Sequence, residues 1–466
     1  MSSPSKFVYA VTGAVIAMLA MARTANAQNL RVLPVPWVAT DSTIPHQAYN
    51  GHATIFKAIA RGGNGSYTVE WDFDGNGVYD VSFASNDRYN LGYAYTYPNQ
   101  AATTTFQAKV RVTSNNQTVV GTYPVRVFAD VPADPANASD RQLQVMSSVA
   151  TDNALWYLHL QMSRTGNEED ALTGAQATGN VSGPATAAAA GYLWTLGLNG
   201  HFAAFPSAYI GEMPDAAENS LRWANDPYAE DAMRLVNYII NQGHVVDVAA
   251  ADESNLYGFY PEQTLEPIFG TDDGTGYYIG ASTADETIYY EGHALSALAV
   301  SRLQGFVAQT GDASKILGRR FEYVIQQVTD AAVWAQHEGG VVGSFFYTPN
   351  SASDDLSTAL WGITGLWHAD EFGRSYGIIV PNTVKARLAQ YTQANLNTCA
   401  AGQTGGSYST SSNACDFTMS AAHVLTLGWV GSNQYNAADT RLAFPGYNGI
   451  TRGTLRKKLR EFGLSA

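Results

Sequence analysis

Charge is scarce in this chain. Asp, Glu, Lys and Arg make up 14% of its 466 residues, against about 25% in average proteins. The formal net charge is −14 at pH 7, whereas nucleic acid and anionic membranes require basic patches on their partners. We therefore expect no nucleic-acid partner, and a polar, weakly charged surface that suits sugars or other neutral polymers.

Common catalytic signatures are also absent. The sequence has no Gly-x-Ser-x-Gly elbow, no His-Glu-x-x-His, no phosphate loop and no dinucleotide fingerprint. These absences favour a binding or structural protein over an enzyme. They also indicate no cofactor other than the metal ion considered below.

Cysteine is rare, with Cys399 and Cys415 the two in the chain. Zinc would need further ligands close to this pair, and the sequence offers none. An exported compartment permits a disulfide, and closing so short a loop would contribute ~3 kcal/mol. We expect a Cys399–Cys415 disulfide.

Residues 1–27 have the features of a secretory signal peptide. Lys6 is followed by an apolar run over 7–22 and by the small-residue site Ala25-Asn26-Ala27. The run is shorter than the ~20 residues of a membrane-spanning helix. We expect an exported protein, periplasmic or extracellular, with no stable membrane insertion after cleavage.

Residues 30–131 have a β pattern. Short runs rich in β-branched and aromatic residues alternate with Gly, Asn and Ser turns. The clearest runs cover 53–59, 68–73, 106–112 and 123–128. About seven such strands in about a hundred residues predict an Ig-like β-sandwich.

Two motifs in this segment resemble the PKD (polycystic kidney disease) domain family. Residues 71–77, Trp-Asp-Phe-Asp-Gly-Asn-Gly, resemble its Trp-Asp-Phe-Gly-Asp-Gly signature, with Asp74 where the family usually has Gly. Residues 95–98, Tyr-Thr-Tyr-Pro, resemble its second signature. The resemblance implies a non-catalytic spacer or adhesion module.

Residues 132–140 contain two prolines and predict a linker, after which 141–466 has a helical pattern. This part repeats weakly. Gly343-Ser344-Phe345 aligns with Gly406-Ser407-Tyr408, and a fainter copy begins at Gly276. A repeated helix pair cannot bury its apolar face alone, so stacked units are expected to form a ring or solenoid.

The repeats resemble those of the terpenoid-cyclase/protein-prenyltransferase superfamily. Gln336 with Gly343-Ser344-Phe345 is similar to its Gln-x-x-x-Gly-x-aromatic repeat, and Gln393 with 406–408 is another copy. The resemblance implies an all-α (α/α) toroid over 141–466. The predicted fold class is therefore a multidomain chain, an all-β Ig-like (PKD-like) sandwich plus this toroid. Cyclase or prenyltransferase catalysis is disfavoured, because no zinc-binding Asp, Cys and His grouping is visible.

The first candidate site is a calcium loop formed by Asp72, Asp74, Asn76 and Asp80. These residues occupy positions 1, 3, 5 and 9 of an EF-hand-like spacing, with Gly77 at the turn. The bidentate ligand expected at position 12 is missing. Asp and Gly also serve turn geometry alone, so a Ca²⁺ site and a simple turn are both open.

The second candidate is the acid pair Asp354 and Asp355, just before a predicted helix. By the toroid resemblance, such acids could protonate an alkene or epoxide. Acidic residues at this place also cap helices and favour the helix dipole, for ~1 kcal/mol each. Because Asp416 recurs at the equivalent repeat position, capping is favoured.

The third candidate combines Glu291, His293 and Tyr289, with Asp285 and Glu286 nearby. Carboxylates beside a His and a Tyr could perform acid–base chemistry on a polysaccharide. A structural, hydrogen-bonded His is the alternative.

Two functions remain open for the whole protein. The favoured one is binding of an extracellular or periplasmic polymer, expected to be carbohydrate, or of a protein partner. The alternative is a polysaccharide lyase or hydrolase.

Overall fold

The structure is a computed structural model in which the chain divides into two units. It describes residues 29–167, 169–179, 185–205, 216–247, 275–280, 287–337, 343–349, 351, 353–398, 404–412, 419, 422, 423, 425, 426 and 428–430. The predicted signal peptide and the predicted Cys399–Cys415 disulfide lie outside these residues. The first unit ends at Ala133 and the second continues from Asp134, with Pro36–Asp41 belonging to the second.

Strands build the described part of the first unit. They are β1 Arg31–Pro34, β2 His46–Tyr49, β3 Thr54–Phe56, β4 Ala58–Arg61, β5 Tyr67–Asp72, β6 Val81–Ser85, β7 Tyr93–Tyr95, β8 Thr104–Ser114 and β9 Gln117–Phe128. One five-stranded sheet has the order β2-β9-β8-β5-β6, and β1 pairs with β4 and β3 with β7. The β2–β9 pair is parallel, and the other pairs are antiparallel.

A two-residue turn joins the two longest strands, β8 and β9. Ser114 pairs with Gln117 across the turn, and Asn115 and Asn116 between them have φ angles of 48° and 60°. Asn tolerates this left-handed conformation, which two-residue hairpin turns favour. The local sequence therefore fixes the register of the long hairpin.

Aromatic side chains dominate the core of the first unit. Phe56, Trp71 and Phe73 are at most 1% exposed, and the rings of Phe56 and Trp71 lie 5.2 Å apart. The Trp71 indole donates to the Leu91 carbonyl at 3.0 Å, and the Tyr97 hydroxyl donates to the Phe73 carbonyl at 2.8 Å. These contacts hold the end of β5, from which the predicted calcium loop departs.

The described part of the second unit combines helices with small sheets. The helices are α1 Asp140–Gln161, α2 Ala185–Leu198, α3 Ala216–Asn225, α4 Tyr228–Ile240, α5 Thr287–Val300, α6 Phe321–Trp334, α7 Leu356–Glu371 and α8 Asn382–Ala394. The antiparallel strand pairs are β10 Met162–Arg164 with β11 Ala177–Gly179, β12 Gly243–Asp247 with β13 Thr275–Ile279, and β14 Leu396–Thr398 with β15 Thr404–Gly406.

The predicted fold class, an all-β sandwich plus an all-α (α/α) toroid, is wrong. Helices and several sheets together give a mixed α/β structure, and paired strands interrupt the helices of the second unit. Strands of three to five residues are too short to show clear alternation of apolar and polar residues. Gly276, Tyr277 and Tyr278, at the start of the fainter repeat copy, lie in β13.

Helices α5 and α7 pack with their backbones in contact. A Cβ atom added at Gly292 of α5 would overlap the Trp361 carbonyl of α7, and one added at Gly365 would lie 2.9 Å from the Gly292 oxygen. Only glycine permits so close an approach. The contact brings Tyr289 and His293 of α5 against the first turns of α7.

Among the helices that the structure describes, none is long and apolar enough to cross a membrane.

We predict that Gly292→Ala destabilises the protein by about 1–3 kcal/mol, the usual result of overpacking a core. Gly191→Ala in α2 is the matched control, because an added Cβ there meets no atom within 4 Å. The control should be neutral or stabilising, since Ala favours a helix. Urea denaturation of both variants checks this, and equal stabilities would contradict the helix contact.

Candidate functional site

Six half-buried side chains meet where α5 faces the start of α7. We call this group the aromatic–acid cluster, and its members are Tyr289, His293, Tyr347, Asp355, Ser357 and Trp361. Tyr289 and His293 come from α5, Ser357 and Trp361 from α7, and the other two from the segment that leads into α7. Their partial exposure leaves them accessible to a ligand.

Asp355 is the N-cap of α7. Its Oδ1 accepts hydrogen bonds from the backbone N–H groups of Ser357 at 2.8 Å and Thr358 at 3.2 Å. These bonds satisfy amides that the first helical turn leaves without partners. The carboxylate therefore has a fixed position and orientation.

A row of hydrogen bonds extends from this cap. The Ser357 hydroxyl lies 2.5 Å from Asp355 Oδ1 and 2.7 Å from the Tyr289 hydroxyl. Because a carboxylate only accepts and Ser has one hydroxyl proton, Ser357 donates to Asp355 and Tyr289 donates to Ser357. The Tyr347 hydroxyl donates to Asp355 Oδ2 at 3.4 Å, which completes the row.

Trp361 and His293 form the aromatic side of the cluster. Their rings stack with centroids 3.9 Å apart. His293 Nδ1 lies 2.6 Å from the Tyr289 carbonyl, to which it donates, so Nε2 is an acceptor in the neutral ring. Burial lowers the pKa of His293, although the hydrogen bond opposes this effect. The ring is therefore neutral at pH 7.

Asp354, the other acid of the predicted pair, has different partners. Its carboxylate accepts from the Thr410 backbone N–H at 2.7 Å and from the Thr410 hydroxyl at 3.2 Å. Burial raises the pKa of the neighbouring Tyr391, and the charge of Asp354 adds to this effect. Asp354 thus connects the start of α7 with the segment after β15, and Asp355 alone belongs to the aromatic–acid cluster.

Glu291 lies apart from the other predicted catalytic residues. It is 1% exposed, and its Oε2 accepts from the Ile279 N–H of β13 at 2.6 Å. Its Oε1 and the Tyr278 hydroxyl are both buried without a hydrogen-bond partner in the described part of the chain. Glu291 is two residues from both Tyr289 and His293, roughly 200° around the helix, so it faces β13 while they face α7. Asp285 and Glu286 lie outside the described residues.

The predicted calcium loop brings three carboxylates together. One oxygen each from Asp72, Asp74 and Asp80 lies within 4.8 Å of the others. Asp72 accepts from the backbone N–H groups of Gly75 at 2.7 Å and Gly77 at 2.8 Å, and Asp80 accepts from Phe73 at 2.8 Å. The loop is thus an ordered turn that also gathers three carboxylates, the ligand type that Ca²⁺ prefers.

Asn76, the fourth predicted ligand, has a different arrangement. Its side-chain amide donates to Asp74 at 2.9 Å, and its Oδ1 accepts from the Val78 N–H at 2.7 Å. Both of these polar groups are engaged within the loop, so the three aspartates offer the closest set of oxygen ligands.

A buried ionic network in the second unit was not predicted. His159 Nδ1 lies 2.6 Å from Asp231, and Arg164 contacts the same carboxylate at 2.8 Å; the Tyr192 hydroxyl donates to it at 3.1 Å. Burial opposes ionisation of Asp231, but Arg164 and His159 lower its pKa to about 2. The sequence signal that could have indicated this network is a polar residue on an otherwise apolar helix face. At 0% and 1% exposure, His159 and Asp231 connect α1 and α4 away from solvent.

We predict that Glu291→Gln removes a pH dependence of stability. Burial raises the pKa of Glu291 well above the ordinary value of 4.5, so stability is complete below that value and is lost as pH rises toward the raised pKa. Gln keeps the acceptor for Ile279 and stays neutral. Melting temperatures of the wild type and the variant, measured from pH 4 to about pH 8, should diverge as the pH rises. Parallel curves would contradict a raised pKa of the buried Glu291 carboxyl.

Comparison with known proteins gives little resemblance. No protein family and no curated protein matches the sequence. Among solved structures, one similar chain is a family 76 glycoside hydrolase from a bovine Bacteroides thetaiotaomicron strain. The match covers 89% of this chain and 88% of that chain, with 8% sequence identity and a TM-score of 0.26. This likeness is too low to assign a fold or a function.

Proposed function

We propose that the aromatic–acid cluster binds a carbohydrate polymer, and that the protein does so after export. The observation that carries the proposal is the hydrogen-bonded row from Tyr347 through Asp355 and Ser357 to Tyr289, which lies beside the half-buried ring of Trp361. A sugar ring has an apolar face and a rim of hydroxyl groups. Aromatic side chains suit the face, and fixed polar groups suit the rim.

The rigidity of the cluster supports this proposal. Asp355 is held by two backbone amides, and Tyr289 and Ser357 stand on helices whose backbones touch. Groups that are already ordered lose little conformational entropy when a ligand binds. The low overall charge of the chain also suits a polyhydroxylated ligand.

The enzymatic alternative, a polysaccharide lyase or hydrolase, has less support. Two-carboxylate hydrolysis needs acids that converge on one bond about 5–9.5 Å apart. In this structure Glu291 contacts β13, and Asp354 contacts Thr410, while Asp355 caps α7. The geometry therefore favours binding by the cluster over hydrolysis.

Purified protein should retain a polysaccharide without releasing product. We expect Trp361→Ala to weaken binding at least tenfold, or about 1.4 kcal/mol, because it removes the apolar platform. Tyr289→Phe should weaken binding less, because only a hydroxyl is lost. Tyr157→Ala is the control, since this exposed aromatic stands on α1.

The test is a screen against neutral and uronic-acid polysaccharides that records binding and product release separately. The proposal would be overturned if the protein bound none of these polysaccharides. It would also be overturned if the Trp361→Ala variant and the control bound equally well. Release of product that depends on Asp355 or Tyr289 would favour the enzymatic alternative.

We also propose that the Asp72–Asp80 loop binds Ca²⁺ as a stabilising ion, within a PKD-like module at 30–131. The support is the proximity of three carboxylates, whose mutual repulsion a divalent cation would relieve.

Calcium at a hundredfold excess over its Kd should stabilise the protein by about 2.7 kcal/mol. Asp74→Asn should reduce this gain, because the exposed Asp74 contributes a ligand oxygen. Melting temperatures in calcium, in magnesium and in chelator check the prediction. A melting temperature that chelator leaves unchanged would reduce the loop to a simple turn.

A further inference from the structure

The aromatic surface of α7 continues beyond Trp361. Thr364 and His368 of α7 and Phe372, its C-cap residue, follow at intervals of three or four residues, which places them on one side of the helix. Phe372 is 42% exposed, and Thr364 is half-buried. His368 lies seven positions after Trp361, a distance of about 10 Å along the helix.

Aromatic rings surround His368. It stacks on Phe372 with ring centroids 5.6 Å apart and on Trp367 at 5.8 Å. Trp194 of α2 approaches it edge-on at 5.1 Å. We call Trp194, Trp367, His368 and Phe372 the second aromatic group.

This group repeats the chemistry of the aromatic–acid cluster. His368 Nδ1 donates to the carbonyl four residues earlier, that of Thr364, at 2.7 Å, as His293 does to Tyr289. Burial lowers the pKa of His368, with the hydrogen bond opposing, so this ring too is neutral at pH 7. The aromatic–acid cluster and the second aromatic group thus each pair a Trp with a His whose Nε2 is an acceptor.

Trp194 supplies an observation that packing alone does not explain. Its indole Nε1 is buried without a hydrogen-bond partner among the described residues. A buried donor of this kind costs stability, about 1–3 kcal/mol. Buried polar groups in native proteins nearly always have a partner, and a ligand oxygen would supply one here once the side chains that cover this atom move aside.

We propose that the second aromatic group is a second subsite for the same carbohydrate chain that the aromatic–acid cluster binds. This inference rests on the proposed function and extends it. The ligand is a polymer, because a single sugar at Trp361 cannot also reach the second group about 10 Å away. The neutral imidazoles and aromatic rings provide apolar faces and acceptors for the next sugar units.

The test uses oligosaccharides of increasing length, prepared from whichever polysaccharide the screen identifies. Affinity should rise with length until the chain reaches both subsites, and then level off. Phe372→Ala and Trp194→Phe should each weaken binding of long chains severalfold and leave short chains unaffected. Trp361→Ala should weaken both, and Tyr157→Ala neither.

Trp194→Phe is informative because it keeps an aromatic ring and removes a donor that has no partner in the free protein. Its melting temperature should stay close to that of the wild type, because removal of the unpartnered donor offsets the packing lost with the smaller ring, so weaker binding of long chains would not reflect unfolding. Affinity independent of length, or unchanged by both variants, would overturn the second subsite alone. The absence of any carbohydrate binding would instead overturn the proposed function.

Discussion

The contact between the backbones of α5 and α7 is the constraint on which the candidate site depends. Gly292 has no side chain, so the two helices approach until the peptide groups around Trp361 and Gly362 meet it. That distance allows the Tyr289 hydroxyl to reach Ser357 and the His293 ring to stack on Trp361. A larger residue at position 292 would push the two helices apart and would separate the side chains of the cluster. The same contact therefore determines both the helix packing and the site.

The second unit contains two kinds of polar arrangement. The network around Asp231 is buried: Arg164 and His159 contact one carboxylate, and its role is cohesion. Along α7, by contrast, Trp361 and Thr364 are half-buried, Phe372 is 42% exposed, and only His368 among these four is buried. Burial thus separates the residues that stabilise the unit from those that are suited to a ligand.

Sequence patterns located local features better than contacts between distant segments. Apolar periodicity predicted helices within 141–466, and α5, Thr287–Val300, is one of them. Asp355 stands at a helix start, where its residue type favours a cap. The short strands β12 and β13 escaped detection because 27 residues separate them and neither has a long alternation. Likewise, nothing in the local sequence indicates that Trp194 meets His368, since this contact depends on how α2 and α7 pack.

The N-cap of α7 has a consequence for dynamics. Asp355 Oδ1 accepts from the amides of the first helical turn and from the Ser357 hydroxyl, so the stability of that turn and the order of the aromatic–acid cluster depend on one atom. Fraying of the turn would disperse Ser357 and Tyr289, and a ligand held by them would oppose fraying. Amide hydrogen exchange at Ser357 and Thr358 would therefore slow in the bound state, which makes this helix end a local reporter of occupancy.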